Sequence, residues 1–107
     1  MVEVRSGEAG RFGPWIEVIA STQQDGKHLG VAVEERGVAT LEVQIGIGNP
    51  GAENVIASID ISPTEPHHVR DPFSLTPHVT VPSGSRVVAR LRADRGHETA
   101  RVAVNLI

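Results

Sequence analysis

The alternation of apolar and polar residues is clearest in residues 39–61. Apolar residues occupy every second position in each half of this segment: Leu41, Val43, Ile45 and Ile47, then Val55, Ala57, Ile59 and Ile61. A period of two is typical of a strand with one buried and one solvated face. Residues 48–51, which are Gly-Asn-Pro-Gly, interrupt the pattern. The segment therefore predicts two antiparallel strands joined by a loop of several residues.

Shorter apolar alternations recur on both sides of this pair. They predict further strands in residues 2–4, 15–21, 28–34, 79–81, 86–93 and 99–107. Residues 15–21 carry apolar side chains on both faces, which favours a central strand, and Asp25-Gly26 after them favours a tight hairpin. The total is about eight strands, at turn spacings of roughly 8 to 12 residues. We therefore predict an all-β fold, an antiparallel β-sandwich of jelly-roll or immunoglobulin-like type.

Two stretches fall outside this pattern. Residues 1–14 hold a short apolar alternation and then a glycine-rich lead-in, which we interpret as an edge strand or an N-terminal arm. Residues 62–77 contain four prolines. Since proline donates no backbone hydrogen bond and fixes its own φ, we predict a long loop there, and such loops are usually functional or interfacial. The 107 residues give room for one domain that spans the whole chain, residues 1–107.

Composition limits the core and the partners. The chain has one Trp, no Tyr and no Cys, so the core must consist of Val, Ile, Leu and Ala. A small core without large aromatic residues leaves little margin of stability, which favours a homo-oligomer. The formal net charge of −3, with both signs interspersed, disfavours nucleic acid as a partner. No apolar run has membrane-spanning length, so we expect no membrane partner.

Candidate chemistry is sparse. His67, His68 and His78 lie near Glu65, but adjacent histidines on a strand point in opposite directions, and the spacing of zinc ligands is missing. The glycines of residues 46–51 resemble a phosphate-binding loop, yet a strand follows them rather than a helix N-terminus. No serine lies in a nucleophile elbow. We therefore predict no catalytic, cofactor-binding or metal-ligating residues, and a protein that is not an enzyme.

Two groups of residues have no assigned role in the sandwich. Three arginines share one face of the strand at residues 86–93, as a solvated edge or as a charged interface. Three apolar residues lie in the proline-rich loop, where they either contact a neighbouring molecule or fold back to cap the sandwich. We take all six as the candidate interface: Val69, Phe73, Leu75, Arg86, Arg90 and Arg92.

Three segments resemble a known family. They are RFGPWIEVIAST at residues 11–22, QIGIGNPGAENVIA at residues 44–57 and VTVPSGSRVVARLRA at residues 79–93. They resemble small β-sandwich structural proteins of tailed bacteriophages and prophages, in which a Phe-Gly step leads into a tryptophan strand, a Q-I-G-x-G hairpin follows and a V-P-x-G-x-R turn opens a late strand. By this likeness, Phe12 and Trp15 would plug one end of the sandwich.

The resemblance implies a function. It implies a virion component that is assembled in the bacterial host cytoplasm: a capsid decoration protein, a head fibre or spike base, or a neck or collar protein. Its partners would be copies of itself, with a trimer as the expected homo-oligomer, and other virion proteins such as the major capsid protein. The competing hypothesis is a carbohydrate-binding or adhesin-type module. Such modules usually expose Trp or Tyr to stack on sugars, whereas we expect Trp15 in the core.

Overall fold

The computed structural model describes residues 2–35, 40–61, 73–75 and 80–106. These residues form eight strands: β1 (Val2–Arg5), β2 (Ile16–Ile19), β3 (Leu29–Glu35), β4 (Leu41–Ile47), β5 (Asn54–Ile61), β6 (Phe73–Leu75), β7 (Val87–Ala93) and β8 (Thr99–Leu106). The strands build two antiparallel sheets, a first sheet in the order β1-β8-β3-β6 and a second sheet in the order β2-β7-β4-β5. The predicted all-β sandwich is confirmed. The described part of the chain has no helix long and apolar enough to cross a membrane.

The strand order identifies the type of sandwich. β1 pairs with β8, β2 with β7, β3 with β6, and β4 with β5. This is the pairing of one long antiparallel ribbon that is folded back at the β4–β5 turn. Wrapping the ribbon brings β3 beside β8 and β4 beside β7. A double sheet of eight strands built in this way is a jelly roll, so the described strands decide between the two types that the sequence left open.

The core lies between the two sheets, where the alternation predicted it. The inward residues of β3, β4 and β7 are almost all fully buried: Leu29, Val31, Val33, Leu41, Val43, Ile45, Val87, Ala89 and Leu91. All are aliphatic, as the composition required. Burying one Val, Leu or Ile side chain contributes about 1.5 to 3 kcal/mol, so these strands supply much of the stability.

The alternation fails at one place in β5. Ala57 lies opposite Ile45 and Val55 lies opposite Gly46, so Ile56 is the extra residue of a β-bulge. Ile56 is 2% exposed, whereas Val55 is 38% exposed. The prediction that Val55 points inward is wrong, because the extra residue moves the alternation by one position.

The sixth strand differs from the prediction. Of the strand predicted at residues 79–81, residue 79 lies outside the described residues, and Val81 forms an isolated bridge with Gly26. The strand lies instead at Phe73–Leu75, inside the predicted proline-rich loop, and pairs with β3 at the edge of the first sheet. Pro72 and Pro77 flank this strand in the sequence. Because proline has no backbone N–H to donate to a neighbouring strand, proline-rich segments are tolerated at the edge of a sheet rather than in its interior.

The connection between β2 and β3 also differs. The predicted hairpin at Asp25-Gly26 is wrong, because β2 and β3 belong to different sheets and residues 20–28 cross between them. β2 is an edge strand rather than a central one. A register shift between Glu17 and Ile19 allows apolar residues of both parities to pack against the core, which explains why the sequence resembles a central strand.

Candidate functional site

Polar side chains gather on the outer face of the second sheet. Along β7, Ala89, Leu91 and Ala93 face the core, so Arg90 and Arg92 point outward. The pairing of β7 with β4 sets Arg90 opposite Gln44 and Arg92 opposite Glu42. The predicted shared face is therefore confirmed for Arg90 and Arg92, but β7 lies in the interior of its sheet and is not a solvated edge.

The connection from β1 to β2 runs along β7. The N–H of Gly10 donates to the carbonyl of Ala93 at 2.8 Å, and the N–H of Gly13 donates to the carbonyl of Leu91 at 2.9 Å. These bonds extend the β2 edge of the sheet beyond β2 itself. They bring Phe12 within reach of the arginines.

Two aromatic rings and two guanidinium groups then meet on this face. Arg90 Cζ lies 4.3 Å from the centroid of the Phe12 ring and 4.4 Å from that of Trp15. Arg92 Cζ lies 4.9 Å from the Phe12 centroid. We call Phe12, Trp15, Arg90 and Arg92 the aromatic–arginine cluster. Each such cation–π contact stabilises by about 0.5 to 2 kcal/mol, depending on exposure to water.

Side chains of β4 and β5 bind the cluster to the rest of the sheet. Arg90 Nε donates to Gln44 Oε1 at 2.8 Å. Arg92 Nη2 donates to Glu42, which also accepts from Ser58 Oγ at 2.9 Å. One row of polar contacts thus connects β7, β4 and β5.

Arg86 forms a second polar centre at the other end of the face. Its Nε donates to Glu17 Oε1 at 2.9 Å, and its Nη1 donates to the carbonyl of Gly48 at 3.1 Å. Nη1 also lies 3.6 Å from Glu53 Oε2. The exposed fraction is 18% for the Arg86 side chain and 10% for that of Glu53. Arg86 therefore ties β2 to the turn between β4 and β5.

The predicted position of the aromatic residues is wrong. Trp15 and Phe12 are half-buried and lie against the outer face of the second sheet rather than plugging an end of the sandwich. Gly46 makes room for Trp15: a Cβ atom at Gly46 would lie 3.0 Å from Cη2 of the indole. Gly46 and the arginines lie on the same face of the sheet. The two aromatic rings therefore pack against guanidinium groups there.

The five described residues of the candidate interface lie on two different sheets. Arg86, Arg90 and Arg92 lie on the second sheet, whereas the backbone of Phe73 and Leu75 forms β6 at the edge of the first sheet. Val69 lies outside the described residues, as do the histidines at positions 67, 68 and 78 and Glu65. The interface role of the six residues stays a prediction.

A shallow cavity adjoins the aromatic–arginine cluster. Its volume is about 240 Å³, and Gly10, Thr40, Glu42, Asp60 and Asp94 are among its lining residues. Pockets that enclose small ligands usually have about 300 to 1,000 Å³. The cavity is thus small for a substrate.

Fold and site together define a jelly-roll protein with an outer sheet face that its own ion pairs and cation–π contacts hold together. No family model, no curated protein and no solved structure matches the chain.

Proposed function

We propose that the protein is a non-enzymatic structural component of a tailed-phage or phage-like virion. It acts through protein–protein contacts, with copies of itself and with other virion proteins such as the major capsid protein. Capsid decoration protein, head fibre or spike base, and neck or collar protein are the positions it could fill. The likeness of residues 11–22, 44–57 and 79–93 supports this class. The jelly roll fits it too, although lectins and cupins share that fold and a fold alone does not fix a function.

One observation of the site carries the proposal. The guanidinium groups of Arg86 and Arg90 bind acceptors and rings of their own chain, and so they brace the sheet. Charge-assisted contacts across four strands stiffen a scaffold. A rigid face of this kind supports a protein that carries load in an assembly.

The test is the copy number of the protein in purified particles. Phage-like particles from the producing host are purified by two rounds of density-gradient centrifugation. The amount of the protein in them is then quantified by mass spectrometry. We expect a stoichiometric copy number that is constant across the particle band. Recombinant protein with an isotope label, added to the lysate before purification, measures non-specific adsorption. The proposal would be refuted if the protein is absent from the particle band. It would also be refuted if the amount in the band is no greater than the amount of labelled protein that adsorbs.

The position of Trp15 favours a second candidate function, that of a carbohydrate-binding module. The indole lies on an outer face beside Phe12, and Gln44 and Glu42 supply hydrogen-bonding groups nearby. Aromatic faces next to planar polar side chains suit sugar recognition. Arg90 lies over both rings, however, and a sugar would have to displace it.

Trp15→Ala separates the two candidates. We expect a loss of about 2 kcal/mol in the free energy of unfolding, or roughly 10 °C in Tm, because a half-buried ring loses less than the 3 to 5 kcal/mol of a fully buried one. Trp15→Phe, which keeps a ring under Arg90, should lose less than half of that. Thermal unfolding and a glycan array are measured on both variants. Unchanged Tm together with lost glycan binding would favour the carbohydrate-binding module.

A further inference from the structure

The two sheets have four edges, and three of them are protected against pairing with another chain. Proteins protect edge strands by shortness, charge, bulges or flanking prolines. β1 has four residues and carries two charges, β2 has four residues and a register shift, and β6 has three residues between two prolines. β5 differs: it has eight residues, no proline and one charge, Asp60, and its bulge at Ile56 still leaves five regular residues, 57–61, after it. No described strand pairs with its outer side.

The direction of the β5 backbone groups follows from the neighbouring ladder. Gly48 N–H donates to the carbonyl of Arg86 at 3.2 Å, and Asp94 N–H donates to the carbonyl of Thr40 at 3.1 Å. These bonds flank the β4–β7 ladder at both ends, and its register is constant between them. Hydrogen-bonding direction alternates along an antiparallel strand, so the even-numbered residues of β4 bond to β7 and the odd-numbered ones bond to β5.

This alternation leaves two residues of β5 whose backbone N–H and C=O groups point away from β4. Ala57, Ile59 and Ile61 lie opposite odd-numbered residues of β4 and therefore direct their N–H and C=O groups to β4. Ser58 and Asp60 direct theirs to the open edge. The regular stretch after the Ile56 bulge thus offers a template for one more strand.

We propose that β5 pairs antiparallel with β5 of a second copy of this chain, around a two-fold axis at Ser58. The pairing joins two second sheets into one continuous sheet of eight strands. It rests on the self-association that the proposed function includes, and it gives a dimer instead of the trimer expected from the sequence.

The charge on β5 favours this register over the neighbouring one. With the axis at Ser58, the two Asp60 side chains are four positions apart, about 13 Å along the strands, which exceeds the Debye length of about 8 Å at physiological salt. An axis at Ile59 would bring them to about 7 Å on one face, where like charges repel. The Ser58 axis also sets the N–H of each Ser58 against the C=O of the other.

A contact through one strand is small. Stable interfaces bury about 800 Å² on each partner, and a single pair of edges buries less than that. We therefore expect weak association in dilute solution and pairing where copies are concentrated. A covalent trap is the suitable test.

Ser58→Cys provides the trap. The chain has no cysteine, so one introduced thiol can form only an intermolecular disulfide. Hydrogen-bonded partners on antiparallel strands have Cα atoms about 5.5 Å apart, within the range of about 4.4 to 6.8 Å that a disulfide spans. The control is Val55→Cys, also on β5 and exposed at 38%. Two copies of residue 55 would be about 20 Å apart along the paired strands.

Under mild oxidation we expect a disulfide-linked dimer from Ser58→Cys at a rate at least about tenfold that of Val55→Cys. Similar rates for the two variants would refute the pairing. A second pair of variants tests the backbone. Ser58→Pro removes an outward N–H without removing a backbone hydrogen bond to β4, whereas Ser58→Ala retains that N–H. Both variants lose the hydroxyl that donates to Glu42, so this loss cancels in the comparison. Ser58→Pro should abolish self-association in concentrated sedimentation velocity, and Ser58→Ala should retain it.

The outcomes distinguish this inference from the proposed function. A dimer trapped at residue 58, from a protein that is absent from particles, would support the pairing and refute the virion role. A protein that joins particles but is not trapped at residue 58 would refute the pairing alone. If Ser58→Pro blocks entry into particles without any self-association of the parent chain, β5 binds a different protein and pairing between copies is refuted.

Discussion

Gly13→Ala should lower the free energy of unfolding by about 3 kcal/mol or more, at the upper end of what overpacking costs. A Cβ atom on Gly13 would overlap the carbonyl oxygen of Arg5 and lie 2.8 Å from its carbonyl carbon. Both are backbone atoms of β1, which cannot swing aside as a flexible side chain does. To relieve the overlap, the connection between β1 and β2 must move away from Arg5, which disturbs the hydrogen bond from Gly13 N–H to the carbonyl of Leu91. The aromatic–arginine cluster would lose its support at the same time.

Gly10→Ala is the matched control on the same connection. No atom lies within 4 Å of a Cβ at Gly10, but its φ is +79°, which is strained for alanine. We expect a cost of about 1 to 2 kcal/mol from the backbone alone. Urea unfolding measures both variants, and fluorescence of Trp15 reports on the cluster. If Gly13→Ala is no more destabilised than Gly10→Ala, the close packing of the connection against β1 is wrong.

The faces of the strands could be predicted from the sequence. The alternation in residues 41–45 and 87–93 assigns the inward residues correctly, because side-chain direction in a strand depends only on the period of the backbone. The sequence also identified the β4–β5 pair, which is joined by a short turn that leaves little choice of partner. Side-chain direction and the pairing of adjacent strands are local properties, so the local sequence pattern is enough to predict them.

The assignment of strands to sheets could not be predicted in this way. Asp25-Gly26 favours a hairpin, yet β2 and β3 belong to different sheets, since burial of both apolar faces outweighs the preference of one turn. The alternation likewise does not predict the bulge at Ile56, and it places Val55 on the inward face. Both features depend on how the ribbon wraps, and hence on contacts between residues far apart in sequence.

The sequence analysis does not predict the outer site, because it places Trp15 with Phe12 at one end of the sandwich, in the core. A signal was present: Glu42 and Gln44 occupy outward positions of β4, and Arg90 and Arg92 occupy outward positions of β7. Opposite charges on outward positions of adjacent strands favour cross-strand pairs. What the sequence could not supply was the adjacency of β4 and β7, which are separated by two other strands along the chain.

Removal of the Arg86 side chain is the second substitution with a large expected effect. Arg86→Ala should cost about 3 kcal/mol, because the carboxylate of Glu53, with 10% of its side chain exposed, loses its cation and the carbonyl of Gly48 loses a donor. The pair with Glu17 adds little to this figure, since 49% of the Glu17 side chain is exposed to water. Urea unfolding at neutral pH measures the change.

Two control variants show whether the unpaired carboxylate causes the loss. Arg92→Ala removes an arginine of the same face with 45% of its side chain exposed. It should cost about 1 to 2 kcal/mol, because a contact with the Phe12 ring is lost while Glu42 keeps its hydrogen bond from Ser58 Oγ. The double variant Arg86→Ala with Glu53→Gln removes the buried charge along with its cation, so it should recover at least about 1 kcal/mol relative to Arg86→Ala alone. A double variant that is less stable than Arg86→Ala would show that Arg86 stabilises the fold through its packing, and that Glu53 does not depend on it.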